Sequence, residues 1–187
     1  MADNYYNLDR KEMLDFISGQ PEKILEAGCG SGNFGAALKE KFDAEITGIE
    51  LFESAAREAS KKLDKVICGN LEEKIDSAEN NYYDLIVFND VLEHLYDPWN
   101  VLKKAATKLC KGGKVMASIP NIRHLYTMFD IVIKKDFKYT DAGILDKTHL
   151  RFFTKKSIIR MFDECGYKII KIQGINGMKS FKFKILN

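Results

Sequence analysis

Residues 24–38 read ILEAGCGSGNFGAAL, from Ile24 to Leu38. A short apolar run ends in an acid, Glu26, and gives way to a turn studded with Gly28, Gly30, Gly32 and Gly35. Phe34, Ala37 and Leu38 then fall on one face of a helical period. Strand, glycine turn and helix in that order form a nucleotide-type cofactor site, because the turn lets backbone come close to a ligand at the start of a helix.

The same alternation continues on both sides of this stretch. Before it, Met13, Leu14 and Ile17 share a helical face in a segment beginning near Leu8, and Gly19-Gln20-Pro21 stops it. After it, Asp43 to Glu50, carrying EITGIE, predicts a second strand that ends in a second acid. Phe52, Ala55, Ala56, Ala59 and Leu63 recur at helical spacing. Residues 65–69 (KVICG) predict a third strand, followed by Asn70. The run 83–88 (YDLIVF) is nearly all apolar, as for a central strand buried on both faces. Asp97-Pro98 begins a helix with Val101, Leu102, Ala105, Ala106 and Leu109 as its buried stripe, and Gly112-Gly113 is expected to end it. Residues 114–120 (KVMASIP) predict a fifth strand. The fold class is therefore α/β, Rossmann-like: a doubly wound, mostly parallel sheet flanked by helices.

The remainder reads differently. Residues 122–135 predict an apolar-rich helix, and 136–153 a polar, irregular stretch long enough to act as a lid. Thr154 caps a helix whose buried residues are expected to be Ile158, Ile159, Phe162 and Cys165. Residues 167–175 predict a sixth strand. Asn176-Gly177 and the SFKFKIL run are expected to fold back on it as a hairpin. One domain spans 1–187: a cofactor-binding core over 1–120, an acceptor-side cap over 121–153, and a final helix and strand over 154–187.

Bulk properties are those of an ordinary soluble chain. The 187 residues are 45% hydrophobic and 30% charged, with a net charge of +2. So small a charge does not by itself argue for nucleic acid or an anionic membrane. Cys29, Cys68, Cys110 and Cys165 form no CxxC pair and read as free thiols of a reducing compartment. No apolar run reaches membrane-spanning length and the N-terminus is polar, so a cytoplasmic location without membrane insertion is expected.

The glycine turn admits two cofactors. Gly30-x-Gly32-x-x-Gly35 fits a dinucleotide fingerprint, with Glu50 about where a ribose-binding acid belongs. Glu26 decides against it: a carboxylate there repels a pyrophosphate and attracts an ammonium and a sulfonium. Residues 26–32 (EAGCGSG) resemble the first motif of class I S-adenosylmethionine-dependent methyltransferases. The resemblance implies S-adenosylmethionine as cofactor, with Gly28, Cys29, Gly30 and Gly32 lining the methionyl part and Glu26 ordering its amino group. It implies Glu50 on both ribose hydroxyls, which a bidentate carboxylate suits. Leu51 and Leu71 would flank the adenine, and Asn89 would line the methionine side. Asn70 stands where the family usually has an aspartate, keeping an acceptor and losing a charge.

Two further segments, 89–98 (NDVLEHLYDP) and 146–154 (DKTHLRFFT), resemble a branch of small-molecule methyltransferases found with sugar-polymer and lipid or quinone pathways. His149 is the first candidate for the base that takes a hydroxyl proton, and His94 the second. Each has a structural alternative, His149 as a clasp with Asp146 or Arg151 and His94 as a buttress of its loop. His124 reads as a packing or surface residue, and Tyr5 and Tyr6 as a lid or as surface packing. Three widely spaced histidines and no acid–histidine cluster predict no metal site. The expected reaction is O-methylation of a small-molecule or sugar-type acceptor, with no nucleic acid involved. The alternatives are an idle cofactor-binding module of a larger assembly and an NAD-dependent oxidoreductase. The family sheet normally has seven strands, so the chain reads as cut short, with an open edge that favours a dimer.

Overall fold

The computed structural model describes residues 11–175. Five strands form one parallel sheet: β1 (Lys23–Ala27), β2 (Glu45–Glu50), β3 (Lys65–Cys68), β4 (Tyr83–Asn89) and β5 (Leu109–Ser118), in the order β3-β2-β1-β4-β5. Helices α1 (Asn33–Phe42) and α2 (Glu53–Ala59) lie after the first two strands. Then come α3 (Leu71–Lys74), α4 (Pro98–Lys108), α5 (Leu125–Val132) and α6 (Lys155–Glu164). The chain builds outward from β1 through β2 to β3, then crosses back to place β4 on the other side of β1. The carboxyl ends of β1 and β4 therefore flank the point where strand order reverses, which is where α/β sheets bind ligands.

The strands' period of two sorts the core into two clusters. Ile24, Ile46, Leu85 and Val87 pack with Phe34, Leu38 and Phe42 of α1 and with Ala59 and Leu63. Leu25, Ala27, Ile49, Ile86 and Phe88 pack on the other face with Val101, Leu102 and Ala105 of α4 and with Met161 and Phe162 of α6. Each such aliphatic side chain contributes about 1.5–3 kcal/mol. Asp97 caps α4 as expected, its Oδ1 accepting the Asn100 N–H at 3.0 Å, with Pro98 in the first turn. Thr154 and Ser157 form a reciprocal capping box on α6.

Five expectations about elements are corrected. Residues 11–16 form a 3₁₀ turn rather than an α-helix, and the expected start near Leu8 lies outside the described residues, as do Tyr5 and Tyr6. Gly112-Gly113 does not end α4; the helix stops at Lys108 and β5 follows directly. The pairing of β5 with β4 jumps from Tyr83↔Leu109 to Leu85↔Lys114, so the glycines lie in an irregularity of the ladder. A Cβ on Gly113 would stand 2.7 Å from the Tyr83 carbonyl oxygen, which is why glycine is there. In α6, Ile159 is exposed and Met161 is buried, because the inward positions are 158, 161, 162 and 165 at true helical spacing. Helix α5 is shorter than 122–135, and its Leu125, Tyr126, Phe129 and Val132 face outward.

The fifth correction concerns residues 167–175, which form no strand. The Tyr167 hydroxyl donates to the Leu102 carbonyl at 2.7 Å and Ile169 packs on the core, but no described strand offers the segment a ladder. A β-like pattern without a partner for its N–H and C=O groups stays irregular. The expected hairpin at Asn176-Gly177 lies outside the described residues.

Candidate active site

Glu26, near the end of the central strand β1, is buried, and its Oε2 has no hydrogen-bond partner among the described residues. Burial pushes its carboxyl up to about 8; the Glu50 charge adds to this and the Gly35 N–H opposes it. A Cβ on Gly35 would lie 2.6 Å from Glu26 Oε2 and 2.6 Å from Leu63 Cδ2. Glycine at 35 thus lets α1 close directly over the carboxylate.

The loop beyond Glu26 is tied to β2. The Gly28 and Cys29 N–H groups both donate to the Ile49 carbonyl, at 2.8 and 3.1 Å. The Gly30 N–H donates to Glu50 Oε2 at 2.8 Å and the Phe52 N–H to Glu50 Oε1 at 3.0 Å. Each Glu50 oxygen is held by one backbone donor and keeps capacity for another. Gly32 is the residue before α1. The Cys29 thiol is buried and pushed up by burial, with the Glu26 and Glu50 charges adding, so it stays neutral. Asn70 is exposed and its Oδ1 accepts the Glu72 N–H at 2.9 Å, capping α3, while Leu71 is buried and Leu51 is exposed at the rim. At the tip of β4, both amide atoms of Asn89 are buried without a partner among the described residues.

These orphaned atoms test the expected cofactor. Glu26 and Asn89 line one groove with Glu50, Gly28, Gly30, Leu51 and Leu71. A buried polar atom left unpaired costs about 1–3 kcal/mol. An acid and an amide awaiting partners, beside an anchored acid, match the ammonium, carboxylate and vicinal diol of S-adenosylmethionine. The residues fit.

The other side of the groove is built from two segments stapled together. The Glu93 carbonyl, in the turn Leu92–His94, accepts the Leu150 and Arg151 N–H groups at 2.8 and 3.0 Å. Arg151 Nη2 donates to the Tyr96 carbonyl, so this guanidinium clasps the 92–97 loop. The Ile122 N–H donates to the Phe153 carbonyl at 2.8 Å, closing the other side. The staples bring His94 and His149 together, ring centroids 4.7 Å apart and edge-on. His94 Nδ1 lies 3.2 Å from the Thr148 carbonyl oxygen, and His149 Nδ1 lies 3.1 Å from the Ile144 carbonyl oxygen. A carbonyl only accepts, so both Nδ1 atoms carry a proton, and in the neutral His94 ring Nε2 is the acceptor-type nitrogen. His149 Nε2 faces the buried Glu93, 3.9 Å from its Oε1. Burial first, then the His149 charge, hold His94 below its ordinary value; the Thr148 carbonyl and Asp146 oppose them. Buried Asp146 takes the Thr148 N–H and hydroxyl, at 2.8 and 2.6 Å, fixing the residue that fixes His94.

One expectation is corrected here: an acid–histidine cluster exists. Glu93, His94 and His149 each place one ligand atom within 4.8 Å of the others, a grouping able to hold a metal ion. His124 is exposed at the start of α5, tilted against Tyr126, as a surface residue should be. Glu93 itself was passed over in the sequence, as were Asp90 and Ser118. Asp90 takes a positive φ of 52°, its N–H donating to the Ser118 carbonyl and its carboxylate accepting the Ser118 hydroxyl. The available signal for Asp90 and Ser118 is polar residues at the tips of adjacent strands.

A doubly wound parallel sheet with a groove lined by Glu26, Glu50 and Asn89 at its switch point is the architecture of an S-adenosylmethionine-dependent methyltransferase. A family model described as a methyltransferase domain matches residues 4–172, and the chain belongs to that family. It is similar to the ubiquinone biosynthesis O-methyltransferase of Idiomarina loihiensis, 28% identical over 86% of this chain and 68% of that protein. The enzyme of the same name from Vibrio atlanticus is 31% identical over 83% of this chain and 67% of that one. A SAM dependent methyltransferase from Archaeoglobus fulgidus shares the fold with a TM-score of 0.66 at 19% identity, covering 84% of this chain and 66% of that one.

Proposed function

We propose that this methyltransferase modifies an oxygen of a small hydroxylated acceptor, a phenol or a sugar-type alcohol, held against His94 and His149. The observation that carries the reading is the imidazole pair, clamped into the same groove as Glu26, Glu50 and Asn89. The names of the curated relatives support oxygen as the accepting atom. When bound, S-adenosylmethionine supplies a methyl group on a positively charged sulfur, ready for in-line displacement. Glu26 and Asn89 take its amino-acid end and Glu50 its ribose hydroxyls. Leu51 and Leu71 flank the adenine with Asn70 at its edge, and the backbone of Gly28, Cys29, Gly30 and Gly32 shapes the turn beneath. Residues 121–153 cap the acceptor side.

His94 is the base in this reading. Its proton sits on Nδ1, directed at Thr148, so Nε2 takes the acceptor's hydroxyl proton. His149 is held at Nδ1 by the Ile144 carbonyl and stands edge-on to His94, so it orients its neighbour. The test is a methyl-release assay across phenols, sugars and nucleotide sugars. His94→Asn should lower kcat by about 10²-fold or more and remove the acid limb of the pH–rate profile. That limb lies below the ordinary histidine value of 6.5, so the wild-type rate is already on its plateau at pH 7. Cofactor binding without turnover on any acceptor means an idle module. A second reading rests on the Glu93, His94 and His149 grouping: a divalent ion there would acidify the hydroxyl instead. Activity lost on chelation and restored by zinc selects it; activity indifferent to chelation selects the base.

A further inference from the structure

We propose that the segment 123–139, centred on α5, docks the enzyme on an anionic lipid surface. Leu125, Tyr126, Phe129, Val132 and Ile133 are each between 49% and 67% exposed. Their spacing of i, i+1, i+4, i+7 and i+8 puts them on one face of the helix, pointing away from the core. Phe137 and Tyr139 extend the exposed apolar surface past the helix end. Contiguous apolar surface of this kind marks an interaction site rather than ordinary surface scatter.

The charge around the patch selects the occupant. Arg123, Lys134, Lys135 and Lys138 border it, against only Asp130 and Asp136 between residues 122 and 139. Asp130 and Lys134 pair at 2.7 Å, which sets Arg123, Lys135 and Lys138 against Asp136 in the remaining balance. The net charge of the whole chain, +2, hides this concentration. A second copy of the chain docking on the same face by a two-fold axis would set basic rim against basic rim. The chain's own last twelve residues carry Lys179, Lys182 and Lys184 and no acid, so they repel the rim as well. An anionic headgroup layer satisfies both features: apolar and aromatic side chains enter the headgroup–acyl boundary while lysines meet phosphate. Among the described residues no helix is long and apolar enough to cross a membrane, so the contact is peripheral. His124, at the start of α5, lines the same groove as His94 and His149, so docking brings the mouth of the acceptor groove to the lipid surface. The surface acts whatever the acceptor is, and its test is independent of turnover.

The experiment is sedimentation of the full chain with phosphatidylglycerol–phosphatidylcholine vesicles and with phosphatidylcholine vesicles alone. Binding to the anionic vesicles, weakened by high salt, is expected. The double variant Phe129→Glu/Ile133→Glu should weaken it about tenfold or more, while calorimetry shows unchanged S-adenosylmethionine affinity, proving the variant folded. Lys134→Gln/Lys135→Gln/Lys138→Gln should erase the preference for anionic over neutral vesicles. No binding to either vesicle, or binding untouched by the glutamates, overturns the proposal. So does a wild-type dimer that the glutamates dissociate without any vesicle binding, which assigns the face to a second copy.

Discussion

Glu26 shows how one residue can be legible in sequence and still hold a surprise. Its place between an apolar strand and a glycine turn predicts a cation-binding acid, and the structure buries it there. What the sequence does not reveal is that burial holds it protonated, with its carboxyl near 8 against an ordinary 4.5. The folded chain keeps this proton between those values while the unfolded chain has lost it. The contribution to stability is therefore complete below 4.5 and lost as pH rises to about 8. A cofactor ammonium placed beside the carboxyl restores the ionised form, so binding at pH 7 should release roughly one proton. Calorimetry in buffers of different ionisation enthalpy measures that number, and Glu26→Gln should reduce it to zero. A wild-type value of zero, or an unchanged value in the variant, means that the ammonium lies elsewhere. Glu93 is the opposite case. It follows a strand by four residues, in a loop with no glycine pattern, and its meaning comes from His149, more than fifty positions away. No local spacing reports a contact of that kind.

Among elements, legibility followed the physics each signal reports. Strand β4 is legible because an apolar run between turn residues has few other outcomes. The α4–β5 boundary was misread because a glycine pair that ends a helix and one that permits an irregular ladder look alike. Only the register with β4 separates them. The run 167–175 was misread because strand pattern is a property of one segment and a strand a property of two. Gly35 sits between these cases: the motif marks it, and the structure supplies the reason, since α1 rests on Glu26 at that point. Gly35→Ala forces a methyl group into the 2.6 Å gaps to Glu26 Oε2 and Leu63 Cδ2. Overpacking of this kind should cost about 1–3 kcal/mol, visible as a lower Tm. Because one of the displaced atoms belongs to Glu26, cofactor affinity should fall with it. A variant that loses stability and keeps full affinity would show that α1 yields without moving the carboxylate.

On the scale of the whole molecule, the strand order makes the groove two-ended. The cofactor end hangs on β1, β2 and the tip of β4, and its ties run within that set, from Ile49 to the glycine turn and from Glu50 to Gly30 and Phe52. The acceptor end hangs on the staples between 92–97 and 146–153, which reach the sheet through the loop after β4 and, at Ile122 and Phe153, through the loop after β5. Two ends with separate supports should fail separately. Glu93→Gln tests this, since it removes the charge facing His149 but leaves the backbone carbonyl that holds Leu150 and Arg151. S-adenosylmethionine affinity should stay within about twofold, because neither the Glu26 carboxyl nor the Glu50 anchors are touched. The kcat should drop by about 10–10² as His149 loses the partner that orients it against His94. The histidine limb of the pH–rate profile should move with it, a displacement that simple loosening of the loop does not produce. Parallel loss of cofactor affinity and rate would mean instead that one rigid network spans the groove, and that acceptor binding orders the cofactor end through the tip of β4.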